Sequence, residues 1–321
     1  MRRLSPALPP LLGAVAGYLA DTRYGDPRRG HPVALFGSAA GRLERAVWRD
    51  HRAVGAAYTA ACVGGVAAAA VLAERALGRS PAGRAALTAA ATWTVLGGTS
   101  LTREARTIGG SLRAGDLTAA RDRLPHLCGR DPSALDGPQL ARAVVESVAE
   151  NTADAVVNAL TWGALAGTPG LLAFRAVNTL DAMVGHRSAR YRRFGWASAR
   201  LDDVAGWPGA RLTALLTVTA SPEPARAWRI WRRDGSAHPS PNAGQAESAF
   251  AGALGVRLGG TLHYGERVEH RPVLGAELRP VTADDIERAC VLSRRVGTLA
   301  LVATVAARTA WTLTRRPRTT P

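Results

Sequence analysis

The chain alternates long uncharged stretches with polar, arginine-rich ones. Ala53 to Ala73 runs 21 residues without a charge, Ala155 to Phe174 runs 20, Ala85 to Thr102 runs 18 and Leu4 to Ala20 runs 17. About 20 apolar residues in a helix cross a bilayer, so these four predict membrane-embedded helices, with buried helices of a soluble all-α protein as the alternative. The segments 212–222 and 296–307 are too short to span, although Leu299, Leu301, Val302 and Val305 could carry a last helix toward Trp311. The first stretch follows Arg2 and Arg3 as a secretory signal would, but it runs into an Asp/Arg/Gly/Pro turn with no cleavage site, which favours a retained helix. Polar regions at 21–52, 103–154, 175–211 and 221–295 carry turn signals, and strand-like alternation is confined to 256–274. The expectation is an all-α, polytopic membrane protein of one domain over residues 1–321. Its site is built from polar loops, and its tail at 315–321 is disordered.

Composition sharpens this picture mainly by exclusion. All 41 basic residues are Arg, against 25 Asp and Glu. Without lysine there is no Walker A phosphate loop and no Schiff-base amine, so a phosphate must be held by Arg, backbone amides or a metal. The three cysteines, Cys62, Cys128 and Cys290, form no C-x-x-C pair, which argues against a disulfide framework or a structural zinc. The formal charge of +16 is spread along the chain with few interleaved aromatics, so nucleic acid is not an expected partner.

Four polar constellations carry the candidate chemistry. Glu146, Glu150 and Asp154 recur at i, i+4 and i+8, one face of a helix. Like charges so stacked repel and call for a divalent cation, a cluster of Arg or plain solvation. Asn178 and Asp181 lead into an Arg-rich run with Arg187 and Arg190, ending at Asp202 and Asp203. Arg forks bind phosphate or carboxylate in bidentate fashion, although a cytoplasmic positive loop reads the same way. His238-Pro-Ser-Pro-Asn242-Ala-Gly244 is a stiff loop in which Ser240 or Asn242 could cap a helix beginning near Ala243, with Glu247 after it. Asp21, Asp26 and His31 lie in a Gly/Pro turn at a helix end. No Ser-His-Asp, H-E-x-x-H or G-x-G-x-x-G pattern is present.

Taken in order, these stretches resemble the CobD/CbiB family of cobalamin biosynthesis, the adenosylcobinamide-phosphate synthases. The resemblance rests on Asp21-Thr-Arg-Tyr-Gly-Asp-Pro with His31-Pro-Val, Glu146-Ser-Val-Ala-Glu-Asn-Thr-Ala-Asp154, Arg175-Ala-Val-Asn-Thr-Leu-Asp-Ala-Met-Val-Gly185, Tyr191-Arg-Arg-Phe-Gly-Trp196 with Ala199-Arg-Leu-Asp-Asp203, and His238 through Gly265. Ala153 and Ala155 are conservative departures beside Asp154. The resemblance implies a multi-pass protein of the cytoplasmic membrane. It implies ATP-dependent joining of adenosylcobyric acid to (R)-1-aminopropan-2-ol or its phosphate, with Mg²⁺. It further suggests assembly with other late enzymes of cobalamin biosynthesis. The implied roles place Mg²⁺-nucleotide on Glu146, Glu150, Asp154 and Asp181. Glu150, Asp154, Asp181 and His238 would act in catalysis, while Asp21, Asp26, His31, Arg175, Asn178, Arg187, Arg190, Asp202, Asp203 and Asn242 would bind substrate or phosphate. If Ala155 to Phe174 crossed the bilayer, Glu150 and Asp181 would face opposite sides. A break at Gly167-Thr-Pro-Gly170, making a re-entrant hairpin, would return both to one face. A non-catalytic scaffold or sensor on the same fold, and a phosphotransferase acting on a polyprenyl or nucleotide substrate, are the competing readings.

Overall fold

The computed structural model describes residues 8–27, 30–186, 188–264 and 267–314. It is helical except for one hairpin. The helices are α1 (Leu8–Tyr24), α2 (Pro32–Val47), α3 (Arg52–Leu77), α4 (Pro81–Val95), α5 (Gly98–Arg113), α6 (Leu117–Arg123), α7 (Gly137–Thr152), α8 (Ala159–Leu180), α9 (Trp196–Ala205), α10 (Trp207–Ala220), α11 (Pro224–Asp234), α12 (Ala243–Leu254) and α13 (Ala283–Thr314). Strands β1 (Leu258–Tyr264) and β2 (Arg267–Leu274) pair antiparallel inside the one stretch whose alternation predicts strands. Among the described residues, three helical runs are long and apolar enough to cross a membrane: Arg52–Leu77, Gly137–Gly185 and Ala283–Thr314.

Two of the predicted apolar segments are corrected. Ala85 to Thr102 is not one helix, because α4 stops at Val95 and Leu96 turns to extended backbone before α5 starts at Gly98. Conversely, the segment at 296–307 belongs to a helix of 32 residues, long enough to span. Its charges at Arg294, Arg295 and Arg308 interrupt the uncharged run but not the helix.

The chain folds as two compact units. The first holds residues up to Gly97, Asn158–Ala205 and the chain from Ala300; the second holds Gly98–Val157 and Gly206–Leu299. In the first, α1 packs along α4, and α3 packs along α8. Tyr58, Cys62, Leu180, Val184 and Phe194 form its core. The approach of α3 there is so close that a side chain on Gly55 would strike the backbone carbonyl of Phe194. The long run around α8 is broken where the sequence predicts a break. Ala166 and Gly167 leave helical geometry, Gly167 at φ 67° and ψ −159°, a region open essentially to glycine alone. A Cβ on Gly163 would lie 3.6 Å from that of Leu171. Eight residues of straight helix would hold those positions about 12 Å apart, so the two arms fold back on each other. Arg308 donates to the carbonyl oxygens of Ala164 at 2.7 Å and Leu165 at 3.4 Å, satisfying acceptors that the break sets free.

In the second unit, α12 is the centre, and all twelve of its residues are buried. Its sequence, Ala-Gly-Gln-Ala-Glu-Ser-Ala-Phe-Ala-Gly-Ala-Leu, suits that place. Small side chains let α7, α10 and α11 approach, to the point that a Cβ on Gly252 would lie 2.7 Å from the Cα of Ala227. The polar groups α12 carries inward are paired, as buried ones must be: Gln245 donates to the Gly235 carbonyl at 2.9 Å and accepts from the Trp231 indole at 2.8 Å.

Candidate active site

The sequence-predicted residues fall in two groups, one in each unit. In the second unit, Asp136 caps α7 through a reciprocal box with Gln139 and starts the helix that carries the acidic motif. Glu146 is buried. It meets Arg130 at 2.6 Å, accepts the Gly259 amide at 2.7 Å, and lies 3.8 Å from Arg142. Arg142 in turn donates to the carbonyls of Gly259 at 2.6 Å and Thr261 at 2.8 Å. Gly259 and Gly260, at φ 79° and 88°, form a bulge there. Of the three ways to relieve stacked acids, the fold therefore uses arginine at Glu146, and that side chain ties the hairpin base to α7. One turn on, Glu150 is exposed although protein surrounds it. Asp154 does not continue the face regularly, because the helix widens to a π turn over Ala153–Asn158.

Arg271 and Glu247, whose charges reach Glu150, connect it to the His238 loop. Ser240 caps α12, its hydroxyl accepting the amides of Asn242 at 3.3 Å and Ala243 at 3.2 Å, while Asn242 accepts from Arg211 at 3.0 Å. His238 is held through both ring nitrogens. Nδ1 faces the Ser240 amide at 3.0 Å, and Nε2 faces Arg271 at 3.1 Å and Glu247 at 4.0 Å. A neutral imidazole has a single acceptor nitrogen, so the ring answers one of these donors at a time. Glu247 is buried on α12. Desolvation pushes its pKa well above the usual carboxylate range, helped by the nearby Glu146 and Glu150 and opposed by Arg271 and Arg130. Arg130 and Arg271 are the residues that the motif reading missed, and Glu247, named after the His238 loop, was given no role there. For Glu247 a signal existed: between Asp234 and Arg257 the only ionisable side chains are His238 and Glu247, a lone acid in an apolar run.

In the first unit, Asp181 opens a second π turn, Asp181–Gly185, at the far end of α8. Its carboxylate folds over Gly185, where any side chain would collide with it. Arg175 donates to Asn178 at 3.4 Å one turn earlier. Both α2 and α9 pack on this end, α9 carrying Asp202 and also Asp203, which meets Arg200 at 3.3 Å. His31 caps α2 by accepting the Val33 amide at 3.2 Å, and its other nitrogen lies 4.0 Å from Asp26. Asp21 is buried at the end of α1. Arg190 is engaged by Glu44, at 2.7 Å, and stacks 4.5 Å from the Trp48 ring centroid, which makes it a tie between helices. Arg187 lies outside the described residues. Among those described, no group of three or more His, Cys, Asp or Glu side chains is arranged to hold a metal ion. The four residues expected to hold Mg²⁺ are divided, with Asp181 in the first unit and Glu146, Glu150 and Asp154 in the second.

Comparison with known proteins places this arrangement. The family model described as CobD/Cbib protein matches residues 14–293. The chain belongs to the CobD/Cbib family. It is 54% identical over 289 residues to the cobalamin biosynthesis protein CobD of Mycobacterium tuberculosis (strain ATCC 25618 / H37Rv), covering 89% of this chain and 91% of the relative. Its identity to the proteins of the same name from Geobacter metallireducens and Rhodobacter capsulatus (strain ATCC BAA-309) is 43% and 41%, over 83% and 84% of this chain and 86% of each relative. No solved structure matches the chain. Membership in this family and the three apolar runs agree with the helical membrane architecture and the cobalamin pathway that the motifs imply.

Proposed function

We propose that this protein is an amide synthase of the cytoplasmic membrane, joining the carboxylate of adenosylcobyric acid to (R)-1-aminopropan-2-ol or its phosphate at the expense of ATP. The product is adenosylcobinamide or its phosphate. The observation that carries the reading is the group around the buried Glu247, in which three carboxylates (Glu146, Glu150 and Glu247), the His238 imidazole and two arginines converge in one unit.

The chemistry needs two things from the protein. A carboxylate is a poor electrophile until one oxygen becomes a leaving group, so the γ-phosphoryl group of ATP is transferred to it, ADP departs and an acyl phosphate forms. Arg130 and Arg271 supply positive charge at that end of the site, where phosphoryl oxygens develop their charge. The amine then attacks the acyl carbon and phosphate leaves. The ammonium must first lose a proton, and the His238 imidazole, which when neutral carries one acceptor nitrogen, is the base for that transfer, with Glu247 beside it holding its own proton. Glu150, exposed beside this group, contacts the incoming substrates. Nucleotide enters as its magnesium complex.

The test is an assay of detergent-solubilised protein with adenosylcobyric acid, aminopropanol phosphate, ATP and Mg²⁺, following the corrinoid by mass. The reading requires the amide with stoichiometric ADP. Bound corrinoid without product, in the presence of ATP, points instead to a scaffold or sensor on the same fold.

A further inference from the structure

The first unit contains a cavity of about 470 Å³ that the proposed chemistry does not use. It lies at the turn of the α8 hairpin, bounded by α1, α3, α4 and the end of α13. Gly167 at this turn and Asp181 are 14 residues apart along α8 and the turn that follows it, about 21 Å of helix, so the cavity and the first unit's acidic group lie at opposite ends of that helix. Its volume falls within the roughly 300–1,000 Å³ of small-molecule sites.

The lining is amphipathic and its polar part is unsatisfied. Leu87, Leu160, Leu171 and Val305 supply apolar wall. Thr92, also in the wall, is fully buried, yet its hydroxyl makes no hydrogen bond, although a helical threonine ordinarily returns it to a carbonyl one turn back. The Nε of Arg84 is likewise buried in the same wall and unpaired. Arg308 and Glu74 complete the charged lining, leaving one net positive charge, with Arg308 already donating to Ala164. Arg84 and Thr92 stand eight residues apart on α4, about 12 Å along the helix, so they offer separate donors: a guanidinium suited to an anionic oxygen and a hydroxyl suited to a further oxygen of the same molecule. The apolar window of α3, the helix that brings Glu74 to the cavity, is only 22% buried, which leaves that side of the unit open to a bilayer.

We propose that this cavity binds an amphiphile with an anionic head, its phosphate or carboxylate on Arg84, a further oxygen such as an ester carbonyl at Thr92, and its apolar part against Leu87, Leu160, Leu171 and Val305. The head chemistry is shared by a bilayer phospholipid and a free alkyl phosphate. Native mass spectrometry of the full-length protein in detergent separates them, with phosphatidylglycerol, phosphatidylcholine and decyl phosphate as probes against wild type, Arg84→Gln and Thr92→Val. The expected result is retention of phosphatidylglycerol or decyl phosphate at least tenfold over phosphatidylcholine, with at least tenfold weakening of either ligand in Arg84→Gln and of phosphatidylglycerol in Thr92→Val. Retention of the glycerolipid alone assigns a bilayer source, and of decyl phosphate alone a free amphiphile. The near-isosteric Thr92→Val keeps the test open should Arg84→Gln fail to fold. No preference over phosphatidylcholine, wild-type retention of either ligand in folded Arg84→Gln, or wild-type retention of phosphatidylglycerol in folded Thr92→Val overturns the proposal.

Discussion

Glu247 is one ionisable side chain on a helix with no exposed residue, and its burial has a measurable consequence. Its pKa is raised in the folded protein, so between the ordinary carboxylate value of 4.5 and the raised one the folded state holds a proton that the unfolded state has released. Stability contributed by this group is therefore full below pH 4.5 and falls as pH climbs through the folded value. Thermal unfolding in detergent against pH should show that falling slope in wild type and lose it in Glu247→Gln. An unchanged slope in the variant means the carboxyl group is ionised when folded. Glu150 makes the complementary case. It is exposed, so Glu150→Gln should leave the unfolding temperature within about 2 °C of wild type, a shift of the size expected for less than about 0.5 kcal/mol. If Glu150 handles substrate as proposed, the same variant should lose corrinoid amidation by at least a hundredfold; near-normal turnover would remove it from the site.

At the scale of elements, the α8 hairpin is the feature most exposed to a single change. Gly167 holds φ 67° with ψ −159°, while a Cβ there would find its nearest neighbours at 3.6 and 3.7 Å, ordinary contact distances. The expected cost of Gly167→Ala is thus conformational rather than steric, about 1–3 kcal/mol, and should appear as a lowered unfolding temperature. A wild-type unfolding temperature would mean that the chain relaxes into another turn. This break was legible from Gly167-Thr-Pro-Gly170, and the hairpin of β1 and β2 from the alternation at 256–274, because glycine, proline and strand period act locally. The split of 85–102 at Leu96 was not, since a count of uncharged residues cannot see a backbone turn among apolar residues. The span of α13 was missed for the opposite reason, its arginines ending the count while the helix ran on. Neither π turn leaves a local signature, although each contains an acid the motifs had singled out, Asp154 and Asp181. Arg130 and Arg271 were illegible because their partners lie across the fold, 16 residues away at Glu146 and 33 away at His238.

At the scale of the molecule, the arrangement of the first unit in a bilayer follows from α3. Its 26 residues give about 39 Å of helix, enough to cross the hydrocarbon core. The second arm of α8 runs beside it, with Leu180 in the core around Tyr58 at one end and Gly167 close to Glu74 at the other. Asp50 pairs with Arg193 at 3.6 Å, which puts the Arg-rich turn after Asp181 at the start of α3. If α3 crosses, this start and the end at Arg79 must face opposite sides, with the hairpin turn on the Arg79 side. Single cysteines at the exposed positions Asp50, Ala189 and Arg79 test this, after replacement of Cys62, Cys128 and Cys290. In oriented vesicles an impermeant maleimide should label Asp50→Cys and Ala189→Cys from one side and Arg79→Cys only from the other. Labelling of all three from the same side would mean that α3 lies within one leaflet or outside the membrane.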